Sequence, residues 1–158
     1  MKNKVIAFAI AATLGCTTFV SAQTGTTTVP AGKERISLTP IEINATMIVP
    51  AGVKAIEETY SYYISGNNFV ISVEPAYEMT LEKAKQDIAA DPNKKIVSVN
   101  GRSVLYMEKM MGKEMAHFES YIEIDGQLYR FYDKRVSPLT VEQVKPLMEA
   151  VETIQVIQ

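Results

Sequence analysis

The stretch NGRSVLYMEKMMGKEMAHFESYIEIDGQLYRFYD, residues 100–133, decides the fold. Its apolar and aromatic residues alternate with polar ones in three runs, which Met110-Met111-Gly112 and Asp125-Gly126 separate. Asn-Gly, which opens the stretch, and Asp-Gly both favour the tight turns of β-hairpins. Together with the run just before Asn100, the pattern predicts an antiparallel meander of four strands, at residues 95–99, 102–109, 113–124 and 127–133.

Two helices are predicted around this meander. Thr80 is a suitable N-cap for a short helix that carries Leu81, Ala84 and Ile88 at helical spacing. Thr140 and Gln143 form a capping box before a second helix. The apolar stripe of this second helix comprises Val144, Leu147, Met148, Val151 and Ile154, and Pro146 is expected to kink it or to mark where its regular part begins.

The region before the first helix also reads as strands. Residues 59–64 and 68–77 flank the turn-forming Ser65-Gly66-Asn67, and Phe69, Ile71 and Val73 share one face of the second strand, which we expect to face the core. A looser strand pattern runs over residues 35–49, where Pro40 is expected to split it or confine it to an edge.

This order of elements predicts an α+β domain in which two helices cover a meander-rich antiparallel β-sheet. It resembles the PsbP-like family through "MIVPAG", "MTLEKAKQDI", "YIEIDGQLYRF" and "VEQVKPLMEAVETI", and the resemblance extends over about residues 45 to 156. The resemblance implies a sandwich of helices around the sheet and an exported, non-catalytic accessory protein of a kind that is often a lipoprotein. No functional residue of that family can be matched here, and the strand pattern of residues 35–49 lies outside it.

The N-terminus predicts export. Residues 1–22 combine Lys2 and Lys4 with a short apolar run and end in Val20-Ser21-Ala22, as a cleaved signal peptide does. Residues 23–33 are rich in Thr and Gly and are interpreted as a flexible leader, and residues 34–158 as a single domain. The alternative is a lipoprotein in which Cys16, after Gly15, becomes the lipidated first residue and anchors the protein to a membrane.

Cleavage after Ala22 also limits the chemistry. The remaining chain has no cysteine, so thiolate catalysis and disulfides are excluded. It keeps 14 basic and 18 acidic residues, a net charge of −4, without the basic stripe that nucleic-acid binding requires. We therefore expect a periplasmic or secreted protein without a transmembrane span in its mature form, which binds a protein or another envelope component.

The sequence contains few candidate catalytic residues. The sequence holds a single histidine, His117, and no nucleophile elbow, metalloprotease motif, Walker loop or dinucleotide fingerprint. Glu119 and Glu123 share one strand face, but same-face charges more often mark the solvated side of a strand. We expect no enzyme and no cofactor.

One alternative function depends on a metal-binding site. Met110, Met111, Met115 and His117 cluster near one hairpin end, and thioether and imidazole ligands suit Cu(I). The structural interpretation is that linking methionines cover the end of the core, that Met107, Phe118 and Ile122 pack inside it beneath a helix, and that His117 is exposed. The sequence therefore leaves two functions open: an exported non-catalytic binding or accessory module, or a small periplasmic metal-binding protein.

Three tyrosines lie close together in one predicted strand, at Tyr60, Tyr62 and Tyr63. They form either an aromatic surface for a partner or ordinary strand packing.

Overall fold

The computed structural model describes residues 28–59, 61–133 and 138–157. Within them the chain is mixed α+β, with two helices and ten strands in two antiparallel sheets, so the predicted class is confirmed. The strands are β1 (Lys33–Ser37), β2 (Ala45–Pro50), β3 (Lys54–Glu58), β4 (Ser61–Gly66), β5 (Phe69–Pro75), β6 (Lys94–Asn100), β7 (Ser103–Met110), β8 (Lys113–Ile124), β9 (Gln127–Asp133) and β10 (Gln155–Val156). The helices are α1 (Leu81–Ala90) and α2 (Val141–Val151).

The large sheet has seven strands in the order β3-β4-β5-β9-β8-β7-β6. The predicted meander is confirmed as β6 to β9, in which each strand pairs with the next along the chain. Phe118 lies opposite Leu105 on β7, and Ile122 lies opposite Tyr129 on β9. Because directly opposed residues share a face, this register assembles one apolar face across the three strands.

Helix α2 and the small sheet, in the order β1-β2-β10, cover that apolar face. The predicted stripe of α2 is buried, although its last residue, Ile154, lies beyond the end of the helix at Val151. Phe118 and Ile122 lie in the same core cluster, as predicted. Met47 and Val49 of β2 join this cluster. The main core is therefore enclosed between the large sheet on one side and α2 with the small sheet on the other.

Helix α1 lies on the opposite face of the large sheet. Thr80 accepts a hydrogen bond from the backbone N–H of Lys83, which confirms the predicted N-cap. Ala84 packs in a cluster with Tyr121, and Ile88 packs with Val104 and Tyr106. These contacts hold α1 over β6, β7 and β8. The helix does not extend over β3, β4 and β5 on the same face.

Two turns of the meander share one geometry. At the β8–β9 turn, Asp125 and Gly126 have φ angles of 51° and 78°, and at the β7–β8 turn Met111 and Gly112 have 50° and 78°. Two successive positive φ angles match the right-handed twist of the strands, and Asp, Asn and Gly adopt them most readily. A methionine in this conformation costs on the order of 1 kcal/mol, which makes the β7–β8 turn unusual.

The N-terminal strands differ from the simple pattern predicted for them. Pro40 does split residues 35–49, since β1 and β2 flank a short 3-10 helix at Thr39–Ile41. The sequence did not indicate β3, β10 or the separate small sheet, because β10 has two residues and β3 exposes most of its side chains. The first strand begins at Lys33, within the segment interpreted as a leader.

Several predictions fall on residues that the structure does not describe. They include the signal peptide, Cys16, residues 23–27 of the leader and Tyr60. Among the described residues, no helix is both long enough and apolar enough to cross a membrane.

Candidate functional site

The face of the large sheet beneath α1 contains a buried carboxylate. Glu119 on β8 is only 7% exposed. It accepts hydrogen bonds from Tyr106 Oη at 3.2 Å and from Tyr121 Oη at 2.7 Å. Arg130 Nη2 on β9 donates a third bond at 2.7 Å and supplies the opposite charge. Since an unpaired buried charge is strongly destabilising, these three partners are what allow a glutamate at this position.

Arg130 extends the network to the next strand. Its Nη1 donates to Glu74 Oε1 on β5 at 2.9 Å, and Tyr132 Oη donates to Glu74 Oε2 at 3.1 Å. The guanidinium also lies over the Tyr132 ring, 4.4 Å from its centroid. One arginine therefore joins two carboxylates and one aromatic ring from β5, β8 and β9, an arrangement that suits the planar guanidinium better than an ammonium.

The network shifts the pKa of Tyr121, Tyr132 and Arg130, each in a direction set by its surroundings. Burial and the neighbouring carboxylate of Glu119 raise the pKa of Tyr121 well above its ordinary value. Burial and Glu74 likewise raise the pKa of Tyr132. Burial lowers the pKa of Arg130, but the hydrogen bonds and charges of Glu119 and Glu74 outweigh that effect and raise it. The tyrosines are thus held as neutral donors and the arginine as a cation.

A second polar pair lies next to this network. His117 is 2% exposed, and its Nδ1 lies 2.7 Å from Asp133 Oδ2. Because a carboxylate only accepts, Nδ1 carries the proton in this bond. The other oxygen of Asp133 accepts the backbone N–H of Phe118 at 2.8 Å. Asp133 therefore satisfies a side chain and a backbone group at the point where β9 ends.

The predicted exposure of His117 and the predicted solvation of Glu119 are both wrong. Helix α1 covers this face, so the positions that alternation marks as non-core are also enclosed, and both polar side chains are bonded within the protein. Glu123 is exposed as expected. Glu123 follows Glu119 by four positions on β8, which places their Cα atoms roughly 13 Å apart. The paired carboxyl groups of a glycosidase lie closer together, roughly 5–9.5 Å apart.

The structure brings together only part of the suggested methionine and histidine cluster. Met115 is buried, two residues from His117 on the same face of β8. Met110 pairs with Lys113 at the hairpin end, and Met110 and Met111 are 52% and 97% exposed. Lys113 lies four residues from His117, roughly 13 Å along the strand. Met110 and Met111 therefore lie away from the imidazole, whose Nδ1 is already bonded.

Acidic and histidine side chains elsewhere could also supply metal ligands. Among the residues that the structure describes, no group of three or more His, Cys, Asp or Glu side chains is arranged to hold a metal ion.

Half of the α1 side of the large sheet stays open, because no described element covers β3, β4, β5 and β9 there. We call this surface the open half-face. Cross-strand pairs place seven partly exposed side chains on it: Ile56, Tyr63, Ser65, Val70, Glu74, Arg130 and Tyr132. Ser72 shares this face but is buried. At its edge toward α1, an open pocket of about 420 Å³ is lined by Glu74, Pro75, Ala76, Tyr77, Met79 and Arg130. Tyr77 at this rim is 84% exposed, and its φ is 42°.

Sequence reasoning missed Arg130, Glu74 and Tyr132 as members of a site. Arg130 and Tyr132 alternate on β9, which places them on the face opposite the core, but no local motif links them to Glu74 or Glu119. A correct prediction of how β5, β9 and β8 pair would have found them, because that register places these side chains next to one another.

Comparison of the chain with protein-family models, with curated proteins and with solved structures finds no match in any of the three. The PsbP-like resemblance therefore rests on the sequence pattern alone.

Replacing His117 by alanine is expected to lower the free energy of unfolding by about 1–3 kcal/mol, because it leaves the buried Asp133 Oδ2 without its donor. Urea unfolding measures the change, and Glu114→Ala, at an exposed position of the same strand, is the matched control. A change within about 0.5 kcal/mol for both variants contradicts the structural role of this bond.

Alkaline pH is expected to destabilise the fold through Tyr121. Its pKa is raised in the folded protein, so above about pH 10 the unfolded chain loses this proton while the folded chain keeps it. Stability then falls as pH rises, by up to about 1.4 kcal/mol per pH unit. Unfolding midpoints from about pH 8 to about pH 11 should fall less steeply for Tyr121→Phe than for the wild type. The exposed Tyr77→Phe variant should follow the wild-type slope, and equal slopes for all three proteins would exclude this linkage.

Proposed function

We propose that this protein is an exported, non-catalytic binding module, and that its open half-face docks a protein partner of the cell envelope. The observation that carries the proposal is the division of one sheet face, since α1 covers β6 to β8 and no described element covers β3, β4, β5 and β9.

The side chains of the open half-face suit protein recognition. Tyr63, Tyr132 and Arg130 are residue types enriched where proteins bind each other, and Ile56 and Val70 add apolar area between them. Arg130 is held by Glu74 and Glu119, so its position is fixed before a partner arrives. A preorganised surface loses less conformational entropy on binding.

The ionisable groups support a non-catalytic role. A general base must reach the proton that it removes, but His117 and Glu119 are buried and bonded to protein groups. Ser103 and Ser120 are fully buried and bonded to each other. His117 Nε2 has no hydrogen-bond partner, but it is buried, so none of these four groups presents a reactive atom to a substrate at the surface of the described part of the chain.

Export is supported by the charged start, the apolar run and the Val20-Ser21-Ala22 end of residues 1–22, and the PsbP-like resemblance adds an expectation of an accessory role. Lipidation at Cys16 is the alternative start of the mature chain, and it leaves the proposed docking face unchanged.

Site-specific photo-crosslinking in the native host tests the proposal. A benzophenone amino acid replaces Val70 on the open half-face, and in the control it replaces Glu149, an exposed residue of α2. We expect Val70 to give one discrete protein adduct and Glu149 to give none. Mass analysis of the product should show a chain that begins at Gln23.

Adducts of equal yield at both positions, or none at Val70, contradict docking on this face. A chain that retains Met1 contradicts export.

A further inference from the structure

The tip of the β7–β8 hairpin combines exposed methionines with lysines. We call Lys109-Met110-Met111-Gly112-Lys113 the basic tip. Met111 is 97% exposed and has a φ of 50°, a conformation that favours Asn, Asp or Gly. The β8–β9 turn of the same meander meets this demand with Asp125. Neither core packing nor turn geometry accounts for Met111, so its apolar side chain is suited to a contact outside the domain.

Four lysines lie at the end of the sheet that carries the exposed methionines. Lys109 and Lys113 flank the turn, and Lys94 and Lys95 begin β6 at the same end of the sheet, where Lys94 pairs with Glu108 in the strand register. The backbone of Lys109 also bonds to Asn93 O, which ties the hairpin to the start of β6. The lysines gather at this one end although the chain from residue 23 onward carries a net charge of −4.

An open pocket adjoins the basic tip. Its volume is about 470 Å³, and its lining combines three of these lysines with apolar groups: Pro92, Asn93, Lys94, Lys95, Ile96, Val97, Met107, Lys109 and Glu114. Val97 is itself an exposed apolar residue of β6. Ammonium groups around an apolar floor fit a ligand that has a phosphate beside hydrocarbon.

Nearby carboxylates reduce the positive charge without cancelling it. Asp91 lies 3.6 Å from Lys94, and Glu114 lies opposite Lys109 in the strand register. Glu108 points toward the buried His117, 3.5 Å from its Nε2. Lys95, Lys109 and Lys113 form no ion pair with another described residue. They are the three ammonium groups that remain for an anionic surface.

We propose that the basic tip docks on a membrane surface that contains anionic phospholipids. Met110 and Met111 enter the boundary between headgroups and acyl chains, while Lys95, Lys109 and Lys113 contact headgroup phosphates, because long basic side chains keep their charge in water while their stems lie along apolar groups. The basic tip is formed by β7 and β8, outside the open half-face of β3, β4, β5 and β9, so membrane docking and partner binding are separate properties.

Vesicle flotation with the purified chain from residue 23 tests this proposal. We expect binding to vesicles of phosphatidylglycerol and phosphatidylcholine, and little binding to vesicles of phosphatidylcholine alone. The double variant Met110→Asn/Met111→Asn should bind about tenfold more weakly, as loss of partial burial of two apolar side chains predicts. Asparagine fits the left-handed turn, so thermal unfolding of this variant should match or exceed the wild type. The double variant Lys109→Gln/Lys113→Gln should bind several-fold more weakly and depend less on salt.

The matched control is Asp125→Asn at the opposite end of β8, which should bind as the wild type does. The proposal is overturned if the wild type does not bind anionic vesicles, or if the two methionine substitutions leave binding unchanged. Displacement of the protein from vesicles by soluble glycerol phosphate would also overturn it, because it would show a headgroup pocket and not a membrane-inserted tip.

Discussion

The structure depends on how a buried negative charge is compensated at Glu119. Its carboxylate lies on β8, an interior strand of the large sheet, and its donors come from β7, β8 and β9. A slip of one residue between β8 and a neighbouring strand moves Tyr106 on β7 or Arg130 on β9 to the other face of the sheet. The bond from Tyr121, on β8 itself, does not depend on this register, but the loss of Arg130 leaves the charge without its cation. The bonds of Glu119 therefore specify the same register as the apolar core on the opposite face. Arg130 carries this constraint to β5 through Glu74, and so joins four strands of the sheet in one polar network.

The same network connects the covered and the open parts of one sheet face. Where α1 lies over β6, β7 and β8, the face is closed and its polar groups are satisfied within the protein. Beyond Glu119, the bonded side chains of Arg130, Glu74 and Tyr132 continue onto strands that no described element covers. Rigid aromatic and guanidinium groups thus lie at a surface, held by bonds to the buried part. This continuity from the core to the surface supports our proposal that a partner binds there.

The parts of the fold that the sequence predicted are those with local signals. Turn pairs such as Asp125-Gly126, the cap at Thr80 and the stripe on α2 each act within a few residues, and the structure contains them all. The site could not be predicted in the same way. Alternation along β8 correctly places Glu119 and His117 on the face opposite Phe118, but only the packing of α1 shows that this face is also buried. The ion pair of Glu119 with Arg130 likewise depends on strand register.

A double-mutant cycle on Glu119 and Arg130 tests most directly whether their pairing organises this face. Urea unfolding is measured for the wild type, Glu119→Gln, Arg130→Met and the double variant. If the pair is coupled as the structure shows, the double variant should lose less stability than the two single variants together, with a coupling free energy of about 1–3 kcal/mol. Effects that add within about 0.5 kcal/mol would show that the two groups stabilise the protein independently, and would contradict the central role of this pair.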